Sequence, residues 1–343
     1  MAYHITCSTD NNYLQYCEVM LCSVFENNKD LHFHVHLLHS ELTASSMNTL
    51  TEFCSRYQNE ISFYQIDDKM LKDVNRRENS PVSIATYYRV LLPELLDEQI
   101  EKVFYLDCDV VVLGNIKPLY DMNYDNYGVA AVYDASPYDS VHRDLMGLDM
   151  TGNAFCAGVM MINLKYWREN NSKDALLEYS NTKQEKVYLE DQDALNYVFR
   201  GHWFQLPYKW AKTPLSIGIV DPNMKRFDQY EHAFSPCIIH YAGSLKPWCD
   251  VWFPERKHYL KYLAISGIQN PKVKHVTTAY RMATYKRLLR YGINRFVRPM
   301  IPDFLELLIR DVINILRLLT SAIKGSKALN RFLLDRWLDK YNL

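Results

Sequence analysis

Short apolar runs of strand length alternate with helical stretches along most of this 343-residue chain. Strands are predicted at residues 3–9, 32–38, 61–66, 102–106, 128–133, 158–163 and 237–241. Helices are predicted at residues 13–27, 43–58, 83–92, 173–182 and 191–199, with Pro93 ending the third. This alternation favours an α/β fold with a mostly parallel central sheet flanked by helices. In such sheets ligands bind beyond the carboxyl ends of the strands.

The end of the chain differs from the rest in charge. From residue 272 onward there are 15 basic and 5 acidic residues, whereas the preceding residues hold 24 and 35. Helical spacing of apolar residues between Arg281 and Arg298, and again over residues 304–319, predicts amphipathic helices. We therefore divide the chain into a body, residues 1–265, and a basic amphipathic helical tail, residues 266–343.

Two interpretations of the tail stay open. A basic amphipathic helix can lie on an anionic membrane surface, and this is the interpretation we favour. Otherwise its helices close the protein's own core or bind a partner protein. The sequence lacks a signal-peptide pattern and an apolar run of ~18 residues. The eight cysteines form no CxxC pair, which favours buried free thiols in a reducing compartment. We expect a cytoplasmic protein, peripheral on the inner face of the membrane if the tail binds lipid, and no nucleic-acid partner.

Asp107 and Asp109 lie between two apolar, strand-like runs in KVFYLDCDVVVL. Two carboxylates at this spacing can converge on a hard divalent cation that also bridges phosphate oxygens. An isolated Asp-x-Asp is commonly a pair of solvated or capping acids. Here the apolar surroundings make unpaired charges costly, so the pair requires a basic residue or a metal as counterion.

A second candidate segment, HYAGSLKPW, begins at His240. His240 can offer a neutral ring nitrogen to a metal, Gly243 lets the backbone approach a ligand, and Lys246 can neutralise a diphosphate. A histidine satisfied within the core, next to a glycine turn, is the ordinary alternative.

Two further segments carry polar residues on predicted helices. EDQDALN begins a helix at Glu190, where acidic residues are also favourable for capping. Arg89 on the helix at residues 83–92 could clamp a phosphate or form a surface ion pair.

Six segments, in this order and at suitable spacing, resemble the retaining glycosyltransferases of family 8, which include bacterial lipopolysaccharide galactosyl- and glucosyltransferases and glycogenin. The segments read STDNNY, SIATYYRVLLPE, VFYLDCDVVV, CAGVMMINLKYW, EDQDALN and HYAGSLKPW. The resemblance spans residues 1–265 and implies a GT-A (Rossmann-like) catalytic domain. It further implies transfer of glucose or galactose from a UDP-hexose to a glycan, lipid-linked or protein-linked acceptor.

The resemblance also implies roles for individual residues. Mn²⁺, or alternatively Mg²⁺, would bind Asp107, Asp109 and His240. Gln192 would lie close to the reacting face of the anomeric carbon, and Arg89 and Asp191 would hold the sugar hydroxyls. Asp191 and Gln192 are the candidate catalytic residues. The UDP-sugar would contact Ser8, Asp10, Asn12, Arg89, Asp107, Cys108, Asp109, Asp134, Cys156, Ala157, Gly158, Asp191, Gln192, His240, Gly243 and Lys246.

One residue departs from the family pattern. Relatives usually carry asparagine where this chain has Cys156, so the identity of the hexose stays open. The mechanism stays open as well: the leaving phosphate could take the acceptor's proton on the front face, or Asp191 or Gln192 could form a covalent intermediate. We prefer the front-face route because an amide is a poor nucleophile.

Other functions and sites compete with these. A metal-dependent phosphohydrolase could use the same carboxylates, and a degenerate UDP-sugar sensor would need no catalysis. His32, His34 and His36 alternate on one strand, and this spacing can build a metal site. We expect instead that they face solvent or pack under a loop.

Overall fold

A computed structural model describes residues 2–74, 83–134, 154–182, 189–215 and 234–297. Its strands are Tyr3–Ser8 (β1), Phe33–His39 (β2), Glu60–Gln65 (β3), Lys102–Leu106 (β4), Val110–Val112 (β5), Val129–Tyr133 (β6), Phe155–Asn163 (β7), Trp203–Leu206 (β8) and Ile238–His240 (β9). Seven strands form the main sheet, in the order β3-β2-β1-β4-β7-β6-β8. β5 and β9 form a separate two-stranded sheet.

Most neighbours in the main sheet are parallel. β3, β2, β1 and β4 all run in one direction, and β6 and β8 are parallel to each other. Only β7, which lies between β4 and β6, is antiparallel to its neighbours in this described sheet. The predicted α/β fold with a mostly parallel sheet is confirmed.

Helices pack on both faces of this sheet. The α-helices are Leu14–Glu26 (α1), Ala44–Arg56 (α2), Leu92–Leu95 (α3), Lys117–Asp121 (α4), Leu164–Glu169 (α5), Ser172–Thr182 (α6), Asp191–Val198 (α7), Arg256–Ser266 (α8) and Thr278–Gly292 (α9). Short 3₁₀ helices span Asp68–Leu71, Ile84–Leu91 and Tyr208–Trp210, and a π-helical turn spans Ile293–Val297. The hydroxyl of Thr43 accepts from the Ser46 backbone N–H and caps α2.

Alternate residues of each central strand enter different cores. In β4, Phe104 and Leu106 belong to the core that includes α1, whereas Val103 and Tyr105 belong to the core on the opposite face. This period of two also orients the residues that follow the strand. Asp107 thus lies on the same face as Tyr105, whose hydroxyl donates to Asp107 Oδ1 at 3.0 Å.

The prediction that Pro93 ends the third helix is wrong. Residues Ile84–Leu91 form a 3₁₀ helix, and Pro93 lies in the first turn of the following α3. A proline is tolerated there because the first-turn backbone nitrogens need no partner within the helix.

β7 begins at Phe155, three residues earlier than predicted. The Asn196 side chain accepts from the Phe155 N–H at 2.7 Å and donates to the Phe155 carbonyl at 2.9 Å. α7 therefore fixes the start of this strand, a contact between distant segments that local periodicity cannot reveal. As a consequence Cys156, Ala157 and Gly158 are strand residues.

The first part of the tail, including α9, packs against the body. Arg281 of α9 forms an ion pair with Asp250 at 2.7 Å, and the Tyr280 hydroxyl contacts Ser244 and Lys246 of the HYAGSLKPW segment. The predicted amphipathic segment at residues 304–319 lies outside the described residues. None of the described helices combines the length and apolar content that a membrane span requires.

Candidate active site

Asp107, Asp109 and His240 meet beside the carboxyl end of β4. Asp109 precedes β5, whose antiparallel pairing with β9 sets Val110 opposite His240. His240 Nε2 lies 3.3 Å from Asp109 Oδ1 and 3.7 Å from Asp107 Oδ2. One possible ligand atom from each residue lies within 4.8 Å of the other two. The structure therefore brings the three predicted metal ligands together.

Gly158 leaves the space in which His240 and Asp107 face each other. A Cβ at this position would lie 2.2 Å from His240 Cε1, 2.5 Å from His240 Nε2 and 2.6 Å from Asp107 Oδ2. Its carbonyl also accepts from the Asp107 N–H at 2.9 Å. Any side chain at position 158 would fill the volume between the histidine and the carboxylate.

Asp109 is 11% exposed in its side chain and lies beside positively charged groups. Its Oδ2 pairs with Lys246 Nζ, which also donates to the Tyr241 carbonyl at 2.9 Å. Burial raises the pKa of Asp109, but Lys246 and His240 outweigh this effect and hold it well below its usual range. Oδ1 is buried and, within the described part of the chain, makes no hydrogen bond. A buried anionic oxygen of this kind suits a cation, so the donor set of two carboxylates and one imidazole fits a divalent metal.

Arg89 connects the metal-site acids to α7. Its side chain is 2% exposed, lies 3.2 Å from Asp107 Oδ1 and 3.1 Å from Asp191 Oδ2, and donates to the Ala157 carbonyl. The guanidinium carbon lies 3.8 Å from the centre of the Tyr105 ring. Burial raises the pKa of Asp191 to about 6, although Arg89 opposes this effect. Arg89 thus positions two carboxylates from different segments.

Gln192 is held by two directed contacts. Its Oε1 accepts from the Ala157 N–H at 3.0 Å, and its Nε2 donates to Asp134 Oδ2 at 2.9 Å. Gln192 lies in the first turn of α7, after Glu190 with a positive φ of 57°. The first turn of α7 thus places Asp191 and Gln192, together with Asp134, at the same edge of the sheet as Asp107 and Asp109.

Cys156 contacts His240 on the side of the ring that faces away from the two aspartates. Its Sγ is 3.3 Å from His240 Nδ1, the ring nitrogen that does not face the aspartates. Burial lowers the pKa of His240, but Cys156 and Asp109 outweigh it and raise the pKa well above its ordinary value. The residue that departs from the family pattern therefore touches a predicted metal ligand.

The loop after β1 and the turn after β9 supply the remaining predicted residues. Asp10 Oδ1 accepts from the backbone N–H groups of Asn12 and Tyr13 at 2.8 and 2.9 Å, which fixes a tight turn. Cys108 Sγ contacts the Ser8 carbonyl at 3.2 Å and joins this loop to the two aspartates. Gly243 has a positive φ of 74°, and a Cβ added there would meet no heavy atom of the described residues within 4 Å. The Gly243 backbone is thus open to a ligand.

Residues 4–251 match the sequence profile of glycosyl transferase family 8. The chain belongs to this family. It is 29% identical over 281 residues to general stress protein A of Bacillus subtilis, covering 79% of this chain and 97% of that protein. It is 28% identical to a lipopolysaccharide 1,2-glucosyltransferase of Escherichia coli, covering 84% and 86%.

A solved structure confirms the fold of this family 8 glycosyltransferase. The structure of galactosyltransferase LgtC with donor and acceptor sugar analogs matches with a TM-score of 0.67. The match covers 81% of this chain and 99% of LgtC, at 22% sequence identity. At this identity the likeness concerns the fold, which is of the GT-A type.

Sequence reasoning missed three contributors to this candidate site. Tyr105 supports both Asp107 and Arg89, and its position two residues before Asp107 on one strand could have indicated it. The Thr86 hydroxyl donates to Asp191, and Thr86 lies one helical turn before Arg89. Trp248 stacks on Tyr16 with ring centres 3.8 Å apart, a contact between distant segments that no local signal predicts.

Proposed function

We propose that this family 8 glycosyltransferase moves glucose or galactose from a UDP-hexose to a glycan, lipid-linked or protein-linked acceptor. The observation that carries the proposal is the convergence of Asp107, Asp109 and His240, with Gly158 leaving space beside His240 and Asp107. The E. coli relative named as a lipopolysaccharide glucosyltransferase supports a hexose donor and a glycan acceptor.

Asp107, Asp109 and His240 would hold Mn²⁺ or Mg²⁺. The bound cation would stabilise the negative charge that develops on the diphosphate as it departs. Lys246 lies beside Asp109 and adds a fixed positive charge on the same side. Gly243, with its open backbone, lets the diphosphate approach the loop that carries Lys246.

The nucleoside would lie over the loop after β1. Asp10 shapes this loop, so Ser8 and Asn12 are held at the edge of the site. Tyr13 at the end of the loop is half exposed and lies edge-on to Trp248, with ring centres 6.1 Å apart. Its exposed ring offers a stacking surface for a flat base.

The hexose would lie between Lys246 and the first turn of α7. Asp191, Gln192 and Asp134 line this side, together with the backbone of Cys156 and Ala157. Arg89, which is buried, acts on the sugar through Asp191 and the Ala157 carbonyl that it holds. Since Cys156 replaces the family's asparagine, an amide contact to the sugar is lost here, and the choice between glucose and galactose depends on the remaining contacts.

The contacts of Asp191 and Gln192 favour the front-face route. Asp191 is buried and engaged by Arg89 and Thr86, and Gln192 is an amide held at both ends. Neither is arranged as a free nucleophile. In the front-face route the bond from the sugar carbon to the phosphate oxygen breaks and the bond to the acceptor oxygen forms. The acceptor's proton passes to the departing phosphate oxygen. The configuration is retained because the acceptor arrives on the face that the phosphate leaves.

Identification of the nucleotide product tests this function. With UDP-glucose or UDP-galactose and Mn²⁺, we expect UDP together with a glycoside or free hexose, because the sugar–oxygen bond breaks. A metal-dependent phosphohydrolase would instead give UMP and hexose 1-phosphate from the same donor. Chromatography of the nucleotides distinguishes the two, and UMP as the first product would overturn the transferase assignment.

We further propose that the tail places the enzyme on the cytoplasmic face of an anionic membrane. In α9 and the following turn, large apolar side chains recur at helical spacing and are 49–68% exposed with respect to the described residues. They are Met282, Tyr285, Leu289, Ile293 and Phe296. Lys286, Arg287 and Arg290 lie on the same helix. An exposed apolar stripe with basic neighbours fits an interfacial helix beside lipid-linked acceptors.

Vesicle sedimentation tests this placement. We expect the protein to bind vesicles of phosphatidylglycerol and phosphatidylcholine, to bind pure phosphatidylcholine poorly, and to dissociate as salt rises. Leu289→Asp should weaken binding by about tenfold, because a large apolar contact becomes a charge repelled by the lipid. Met70→Asp, a change of an exposed apolar side chain outside the tail, should bind as the unchanged protein does. No binding to anionic vesicles at low salt would favour a protein partner instead.

A further inference from the structure

Three histidines cluster on one face of the sheet, away from the site described above. His4 lies in β1, opposite His34 of β2, and His36 lies two residues further along β2. Residues two apart on a strand share a face, so the strand pairing places the three rings together. His4 is four residues before Ser8, about 13 Å from the end of the strand at which the glycosyltransferase site lies.

The three rings are close enough to share one ion. His4 Nδ1 lies 3.0 Å from His36 Nε2, and ring centres of His34 and His36 are 4.3 Å apart. One ligand nitrogen from each histidine lies within 4.8 Å of those of the other two. Tetrahedral zinc ligands at about 2.0–2.1 Å from the metal lie roughly 3.4 Å apart, so a small opening of the rings suffices.

Hydroxyl groups of β3 hold the far sides of two rings. His36 Nδ1 lies 2.9 Å from the Tyr64 hydroxyl, and His34 Nε2 lies 2.8 Å from the Ser62 hydroxyl. When these hydroxyls accept from the rings, His36 Nε2 and His34 Nδ1 keep their lone pairs. Outer partners of this kind orient the imidazoles in known metal sites.

The sequence indicates only part of this arrangement. Its candidate set is His32, His34 and His36, which are expected to face solvent or to pack under a loop. His36 is 1% exposed and therefore does not face solvent. His32 is exposed and pairs with Glu60 at 3.1 Å. The pairing of β1 with β2 places His4, rather than His32, beside His34 and His36.

We propose that His4, His34 and His36 form a second metal site, selective for a borderline transition metal such as Zn²⁺. Three imidazoles suit zinc better than they suit Mn²⁺ or Mg²⁺, which favour oxygen ligands. Glu60, whose Oε2 lies 3.9 Å from His34 Nδ1, or a water molecule completes the coordination. The ion would join β1 and β2 beside the edge strand β3, and thereby stabilise that end of the sheet.

Zinc titration of untagged, chelator-treated protein tests the site. The background is Asp109→Ala, which removes a ligand from the second cluster that could hold a metal among the described residues. Calorimetry should give one Zn²⁺ per chain, and Co²⁺ should give the intense visible absorption of a tetrahedral site. His34→Ala should weaken Zn²⁺ binding at least tenfold. His32→Ala changes the histidine that directly precedes β2. This variant should bind Zn²⁺ as tightly as the background protein.

Thermal unfolding supplies a second readout. Zn²⁺ should raise the unfolding temperature of the background protein and of His32→Ala, but not that of His34→Ala. If His34→Ala does not fold, His4→Gln, at a half-buried position on the neighbouring strand, gives the same comparison. Zinc binding that is equal with and without His4 and His34, or absent at 100-fold molar excess, overturns the proposal and leaves a hydrogen-bonded histidine network. This result does not depend on sugar transfer.

Discussion

Gly158→Ala is expected to abolish metal-dependent turnover of the UDP-hexose while the protein stays folded. The added methyl group would lie 2.2 Å from the His240 ring and 2.6 Å from Asp107 Oδ2. The histidine must move out of line with the aspartates, and a ligand displaced by an ångström no longer completes the site. We expect Mn²⁺ affinity and the rate of UDP release to fall by about a hundredfold or more.

Two alanine variants control for this change. Gly114→Ala meets its nearest neighbour, Cys237, at an ordinary 3.6 Å and should retain full activity. Gly128→Ala would press on the Phe199 ring at 2.2 Å and should lower stability without altering Mn²⁺ affinity. Normal metal-dependent turnover by a folded Gly158→Ala protein would contradict the assigned site.

Asp109→Ala is expected to slow UDP release by about a thousandfold, because the proposed cation loses a charged ligand and several kcal/mol of transition-state stabilisation. Asp109→Asn should be nearly as slow, since the amide keeps the shape but loses the charge. Both rates are measured as UDP formed from the preferred donor at saturating Mn²⁺.

Asp121→Ala is the matched control for Asp109→Ala. Asp121 is an exposed carboxylate that pairs with Lys117 on the same helix. Its loss should leave the rate unchanged, because exposed pairs of this kind contribute little. Equal rates for Asp109→Ala and Asp121→Ala would remove Asp109 from the mechanism.

The fold, and the edge of the sheet that carries the candidate site, were predictable from sequence. Asp107 and the loop containing Asp10 each follow a strand-like run, and parallel strands end at a common edge. The two runs are neighbouring strands, β1 and β4. The local sequence pattern was therefore sufficient to predict that these two polar segments lie close together.

Contacts across the fold were not predictable in the same way. The strand that ends at His240 pairs antiparallel with β5 in its own small sheet, and this pairing sets the histidine beside Asp109. No periodicity in the sequence specifies which strands pair. The same limit explains the histidine cluster, because the partner of His34 and His36 comes from β1.

Cys156 illustrates a further limit. The resemblance to family 8 identifies it as a departure from the family pattern and leaves the identity of the hexose open. The structure adds that its sulfur faces His240 Nδ1 at 3.3 Å. The cysteine at position 156, interpreted from sequence as a change in donor recognition, thus also alters the surroundings of His240, a proposed metal ligand.

Calorimetric titration of UDP into the chelator-treated protein, with and without Mn²⁺, tests the central claim most directly. It requires neither the acceptor nor the correct hexose, since it reports only on the nucleotide and the proposed cation. We predict at least tenfold tighter binding with Mn²⁺, and loss of that gain in Asp109→Ala. Equal affinity with and without the metal, or no UDP binding in either condition, would contradict a UDP-sugar site built on Asp107, Asp109 and His240.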